Sequence, residues 1–65
     1  MLISRATYAR HIRPGDRIVW NGRRKTVREA YTKESEMAGD YITYIHLADY
    51  TTIHVPANSI ITLLE

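Results

Sequence analysis

The chain has 65 residues and no cysteine, so it forms at most one small domain without disulfides or thiolate metal ligands. A chain of this length buries only about 60% of the surface that its unfolded form exposes, so its stability is marginal. No segment reaches the roughly 18 apolar residues of a membrane span, and the stretch MLISRATYARHIR lacks the apolar run of a secretory signal. The composition predicts a soluble, cytoplasmic protein that does not bind membranes.

Positive charge is concentrated in the first part of the chain. Residues 1–28 carry seven arginines and one lysine against one acid, a balance of +7, whereas residues 29–65 carry one lysine against six acids, a balance of −5. This asymmetry indicates an anionic partner for the basic part. The alternative is that the two parts lie against each other in the fold and neutralise one another.

The N-terminal segment, residues 1–12, is predicted to be an arm that precedes a single domain over residues 13–65. Ser4 is a candidate N-cap for a short helix, and an extended arm that enters the first strand is the alternative. Pro14 and Gly15 have the order of a type II turn, with proline at its second position and glycine at its third.

A β-hairpin is predicted next. Residues 16–20, DRIVW, are typical of a strand, and Asn21-Gly22 is the preferred pair for a two-residue type I′ turn. The return strand is expected over residues 24–31. Strict alternation along that strand places four of its residues on one face: Lys25, Val27, Glu29 and Tyr31.

Three further strands are predicted after a polar loop at residues 32–40. They are expected at residues 41–48, 52–55 and 60–64, and the proline-led residues 56–59 predict a single 3₁₀-type turn before the last strand. Five short strands separated by turns predict a small all-β barrel or sandwich.

The predicted core follows from the apolar residues that alternate along these strands. Ile60 or Leu64 is expected at an edge or an interface, because the last strand is apolar on both faces. The residues predicted to point inward are Ile18, Val27, Ile45, Leu47, Ile53, Val55, Ile61 and Leu63.

Two histidines lie on the strands of the second hairpin. If Leu47 opposes Ile53, then His46 faces His54 across a three-residue loop with Tyr50 at its centre, whereas a two-residue turn gives another register. Such a pair can bind a transition metal weakly or act as a proton switch, but two ligands make a poor zinc site. We therefore interpret both histidines as solvated and expect no metal.

The order of these parts resembles the Src-homology-3-like barrel. A Pro-Gly-Asp entry precedes two hairpins joined by a polar loop, and Val55-Pro56 stands where that fold has a 3₁₀ turn between its fourth and fifth strands. The resemblance implies a five-stranded barrel over about residues 12–65. The stretch RPGDRIVWNGRRKTVREAY also looks loosely like KOW and Tudor-type modules associated with nucleic acids, although KOW segments usually carry a lysine-glycine pair where residues 23–25 are all basic. The chain is similar in style to small accessory proteins of bacteria and their phages.

The basic hairpin, together with the basic N-terminal arm, is the candidate site for nucleic acid. Its cations would contact phosphates, because guanidinium groups suit phosphate oxygens, and its tryptophan would stack on a base. The alternative is that these cations protect a strand edge and that the tryptophan belongs to the core edge. The candidate residues are Arg17, Trp20, Arg23, Arg24, Lys25 and Arg28.

A protein-interaction or homodimer module of a bacterial or phage complex is the rival interpretation. It would use either a free strand edge or a tyrosine-rich outer face with the candidate residues Tyr41, Tyr44, His46 and His54. Catalysis is not expected, since no spacing connects a serine to a histidine and a barrel this small has little room for a walled pocket. The sequence therefore predicts a non-enzymatic binding module without a cofactor.

Overall fold

The computed structural model describes residues 3–65, which form an all-β fold of six strands and one 3₁₀ segment. The strands are β1 (Ser4–Tyr8), β2 (Arg17–Trp20), β3 (Arg23–Glu34), β4 (Tyr41–Leu47), β5 (Thr52–Pro56) and β6 (Ile60–Leu64), and the 3₁₀ segment is Ala9–His11. They form one antiparallel sheet in the order β1-β6-β2-β3-β4-β5, with β1 and β5 as its edges. Within the described part of the chain, no helix has the length and apolar character that a bilayer crossing requires.

The strand count exceeds the expected five because the N-terminal segment contributes β1. This strand pairs with β6 from Ser4 opposite Leu64 to Tyr8 opposite Ile60. The backbone N–H of Glu65 donates to the Ile3 carbonyl at 2.8 Å and continues the pairing. The fold is all-β as predicted, but the sheet is open and the five-stranded barrel is not confirmed.

The two predicted tight turns are present, whereas the 3₁₀ segment lies elsewhere. Gly15 has φ 90° and Asn21-Gly22 have φ 53° and 75°, as type II and type I′ turns require. Residues 56–59 form a turn in which the Ser59 N–H donates to the Pro56 carbonyl at 2.9 Å. The 3₁₀ segment precedes β2 instead of β6.

A β-bulge at Arg28 overturns the predicted alternation in β3. Val27 pairs with Leu47, but the next pair is Glu29 with His46, so Arg28 is the extra residue. Beyond the bulge Ala30 turns towards the core, while Tyr31 faces outward. The expectation that Glu29 and Tyr31 share the face of Val27 is therefore wrong, because the bulge shifts the period by one residue.

The β4–β5 hairpin does not have the predicted register in which Leu47 opposes Ile53. Ile45, not Leu47, opposes Ile53, so His46 lies opposite Thr52 and His54 does not face it. The loop still has three residues, but these are 48–50, and Tyr50 is its last residue rather than its centre. The inward parity of both strands is unchanged, because the register moved by an even number of residues.

The predicted core is confirmed at seven of its eight positions, which are buried, and Val55 is half-buried against it. Ile60 is 61% exposed, as expected for the outer face of β6. The hydroxyl of the buried Thr43 forms a hydrogen bond with the Thr32 hydroxyl at 2.8 Å. The structure adds three buried apolar residues that alternation could not predict because they lie outside the strand pattern: Ala9, Ile12 and Ala57.

The type I′ turn makes position 22 sensitive to any side chain. Gly22→Val should lower the free energy of unfolding by about 1–2 kcal/mol, because an L residue is strained at positive φ. No atom lies within 4 Å of the added Cβ, so the cost comes from the backbone alone. Urea denaturation measures it, and an unchanged midpoint would contradict the turn.

The centre of the core should tolerate truncation poorly. Ile45 is fully buried, so Ile45→Ala should cost about 2–5 kcal/mol, enough to unfold a marginal domain. Ile60→Ala, at an exposed position on β6, is the matched control and should change stability by no more than about 0.5 kcal/mol. Thermal denaturation followed by circular dichroism compares the two, and equal melting temperatures would invert the assigned faces.

Candidate binding surfaces

The basic hairpin divides its candidate residues between two faces of β2 and β3. Trp20 lies opposite Arg23 on the side of the buried Ile18, and Lys25 shares that side because it lies opposite Ile18. Arg24 lies opposite Val19 on the other side. Arg17 projects from the same outer side as Arg24, by alternation along β2. The six residues therefore do not form a single patch.

The inner side of the hairpin forms one wall of a groove. Trp20 is half-buried, packs against the core and lines this groove of about 280 Å³. Leu47 and Ile53 lie at its apolar base, and Arg23 and Lys25 line its basic side. We call this the Trp20 groove; it joins an apolar surface, an aromatic ring and two cations.

An ion pair connects the two hairpins beside the groove. The Lys25 Nζ donates to the Asp49 carboxylate at 2.8 Å, and the Thr51 backbone N–H donates to the same carboxylate at 3.0 Å. The Thr51 hydroxyl also bonds to it. Hydrogen bonds from Lys25 and then from Thr51 hold the pKa of Asp49 well below its usual range.

Tyr50 follows this carboxylate in an unusual backbone conformation. Its φ of 67° lies in the left-handed region, which favours glycine or asparagine, and its side chain is 82% exposed. The Arg28 guanidinium lies over the ring, 5.2 Å from its centroid. The bulge residue of β3 and the tip of the β4–β5 hairpin therefore meet at one place.

Few of the chain's opposite charges are paired. Among residues 3–65, the ion pairs within 4.0 Å are Lys25–Asp49 and Arg5–Glu65. The arginines of the hairpin and its bulge are exposed and have no carboxylate at that distance within the described chain. The mutual neutralisation of the basic and acidic parts, the alternative raised by the sequence, is thus limited to two contacts.

A separate aromatic face lies on the outer side of β3, β4 and β5. Tyr31, Tyr44 and His54 form one row of directly opposed residues, with ring centroids 5.4 Å apart for the stacked tyrosines and 6.2 Å for Tyr44 and His54. His46 extends the row, since its Nδ1 bonds to the Thr52 hydroxyl at 2.8 Å and its Nε2 to the Tyr31 hydroxyl at 3.2 Å. Three of the four residues predicted for protein interaction therefore lie together.

Tyr41 is the predicted interaction residue that lies elsewhere. Alternation along β4 places it on the opposite side from Tyr44, opposite Glu34 at the end of β3. It borders another depression, which is also lined by Arg10 and Asn58, and the Arg10 guanidinium bonds to the Asn58 side chain.

Across residues 3–65, no group of three or more metal-ligating side chains comes together.

Comparisons with protein-family models, with curated proteins and with solved structures find no match to this chain. The resemblance to Src-homology-3-like, KOW and Tudor-type modules therefore stays a prediction.

Sequence reasoning overlooked Tyr50 and Tyr31 as candidate site residues. Tyr31 was assigned to the wrong face because the bulge at Arg28 leaves no clear mark in the sequence. A signal for Tyr50 did exist: a three-residue hairpin loop places a left-handed residue at its last position, where Tyr50 stands between Asp49 and Thr51.

The Asp49 interactions predict a specific pH dependence. Because the folded-state pKa lies below the ordinary value of about 3.9, this carboxylate stabilises the fold above that pH and loses its contribution as the pH falls further. Asp49→Asn should lower the melting temperature at neutral pH, and the difference from the unmodified protein should shrink towards pH 2. Glu36→Gln, in the exposed loop after β3, is the control and should show no such convergence.

Proposed function

We propose that this protein is a small, non-enzymatic module of the cytoplasm that binds nucleic acid through the cations of β2 and β3. One observation carries the proposal. Arg23, Arg24 and Arg28 are exposed and lack a carboxylate within 4.0 Å among residues 3–65, although the chain contains seven acids. Unpaired guanidinium groups are available to form bidentate contacts with phosphate oxygens.

The positions of the charges support a phosphate ligand more than a purely solubilising role. Two arginines, Arg23 and Arg24, lie beside the turn of the hairpin. Two more lie at its other end, Arg28 at the bulge and Arg17 on the neighbouring strand. A nucleic acid backbone presents charge at regular intervals, so cations at several separated points can each neutralise one phosphate. Such binding is independent of sequence and sensitive to salt.

Salt dependence of binding tests this proposal. Three or four neutralised phosphates should give a slope of about −3 for log K against log salt on duplex DNA. Replacing Arg23, Arg24 and Arg28 by Gln should flatten the slope towards zero while the fold stays intact, since exposed substitutions usually cost no more than about 0.5 kcal/mol each. The measurement is fluorescence anisotropy of a labelled oligonucleotide across a salt series.

Lys33→Gln is the matched control for this experiment. Lys33 is an exposed cation on the same strand, but it lies beyond the bulge, opposite Ile42 and with its Nζ 5.3 Å from the Tyr31 ring centroid. Its removal should leave the slope within error of the unmodified protein. If neither DNA nor RNA is retained at about 20 mM salt, where charge interactions reach beyond 10 Å, the proposal is wrong.

The aromatic face supports a second candidate, a protein-interaction or homodimer surface. The outer sheet face presents one stacked tyrosine pair, Tyr31 and Tyr44, with His46 and His54 tilted against it, and tyrosine rings contribute strongly to protein interfaces. Sedimentation equilibrium distinguishes a homodimer from a monomer, and Tyr31→Ser should shift a dimer towards monomer. A monomer at all concentrations would leave a different protein as the partner of this face.

A further inference from the structure

We infer that the Trp20 groove and the ring of Tyr50, the residue before the groove-lining Thr51, bind unpaired bases, so that the ligand is single-stranded nucleic acid rather than a duplex. This inference rests on the proposed function and narrows its ligand class. It adds Tyr50 and the groove to the candidate nucleic-acid site, for which the sequence indicated only the cations and Trp20.

The chemistry of the groove suits one base and its phosphate. Its volume is about 280 Å³, and Leu47 and Ile53 supply an apolar surface beside the Trp20 ring. Arg23 and Lys25 line the same groove, and Thr52 adds a hydroxyl. A flat heterocycle can bury its faces against such a surface while its phosphate reaches Arg23, the groove cation that has no carboxylate partner among residues 3–65. In a duplex the base faces are already stacked, so this combination favours an unpaired strand.

The backbone at Tyr50 is strained, and burial of its side chain does not offset the strain. A side chain at φ 67° is disfavoured in this loop position, where glycine or asparagine fits without strain. The Tyr50 ring is 82% exposed, so core burial does not compensate for the strain. Strained residues that packing does not explain occur preferentially where a ligand is bound. The ring is thus free to stack on a ligand.

The neighbours of Tyr50 hold its loop in place before a ligand arrives. The preceding Asp49 is bonded to Lys25 of β3 at 2.8 Å and to the Thr51 N–H at 3.0 Å, which ties the loop to the basic hairpin. Thr51, which follows Tyr50, lines the Trp20 groove. The loop that carries Tyr50 is therefore fixed to the hairpin that carries Trp20. This connection lowers the entropy cost of ordering the two rings around a single strand of nucleic acid.

Arg28 supplies the charge beside this ring. Its guanidinium lies 5.2 Å from the Tyr50 centroid, so a base stacked on Tyr50 would place its phosphate near an arginine. Arg28 itself has no carboxylate partner within the described residues. The pairing of one ring with one free cation is the arrangement that single-strand binders use along their track.

The outer aromatic face is a poorer platform for bases. Its two tyrosines stack on each other at 5.4 Å, so their faces are partly occupied already. Glu29 lies on this face opposite His46 and would repel phosphates. The charge complementarity that a strand requires is found at the Trp20 groove instead.

Trp20 is the only tryptophan, so its fluorescence reports directly on the groove. Titration with a ten-residue oligothymidylate should quench the emission, because a stacked base quenches indole. A duplex of the same length should bind through phosphates and leave the emission unchanged at low salt. Tyr50→Gly should weaken binding of the single strand about 5- to 150-fold, the range expected for one lost base–ring stack.

Tyr50→Gly should fold at least as well as the unmodified protein, because glycine adopts positive φ freely. Its melting temperature should be equal or higher, which separates a loss of binding from a loss of fold. The matched control is Tyr8→Ser at the edge strand β1, where the Arg10 guanidinium lies 4.5 Å from the ring centroid. This change removes another exposed ring–arginine pair, with Tyr8 42% exposed, and should leave affinity unchanged.

The outcomes separate this inference from the proposed function. Binding of single strand and duplex with equal affinity and an arginine-dependent salt slope would overturn the inference and leave the function standing. An unchanged affinity of Tyr50→Gly for oligothymidylate, or quenching by the duplex as strong as by the single strand, would also overturn it. Absence of any binding at about 20 mM salt would overturn both.

Discussion

The bulged strand β3 is the constraint on which the rest of the structure depends. Residues up to Thr26 pair with β2 and those from Val27 onward pair with β4, so a single strand of 12 residues belongs to both parts of the sheet. The bulge at Arg28 shifts the alternation by one residue and thereby keeps both Val27 and Ala30 against the core. Without it, Glu29 would have taken the inward position that Ala30 occupies, which would bury a carboxylate at high cost.

The same bulge arranges both candidate binding surfaces. By moving Tyr31 outward it completes the aromatic row with Tyr44 and His54. By leaving Arg28 unpaired in the ladder it directs the guanidinium towards Tyr50 on the neighbouring hairpin. Bulges often redirect a side chain next to a functional site in this manner. Under the proposed function, one irregularity in the backbone therefore places a cation beside Tyr50 and completes a separate outer face.

The fold is held by a small apolar core rather than by ion pairs. Its buried apolar cluster contains nine residues, contributed by strands β2 to β6 and by the segment that includes Ala9 and Ile12. The edge strand β1 adds no buried residue, yet it covers β6 through a full ladder of backbone hydrogen bonds. Since exposed ion pairs stabilise a fold by less than about 1 kcal/mol, leaving the hairpin arginines unpaired has a small cost.

Local features of the fold could be read from the sequence. The turns at Pro14-Gly15 and Asn21-Gly22 need particular backbone angles that few residue pairs supply, so the residues themselves determine them. The buried face of β4 and β5 also follows from the alternation of Ile45, Leu47 and Ile53, because the side-chain period of a strand is two.

Tertiary structure decided the features that depend on partners distant in the chain. β1 exists because β6 pairs with it. The register of β4 with β5 depends on a loop that admits Tyr50 at positive φ. The bulge follows from fitting β3 to two neighbouring strands at once. The charge of the basic hairpin was visible in the sequence. The sequence did not show that this charge is divided between two faces, or that Arg28 approaches Tyr50. Alternation within one strand carries no information about which side another hairpin approaches.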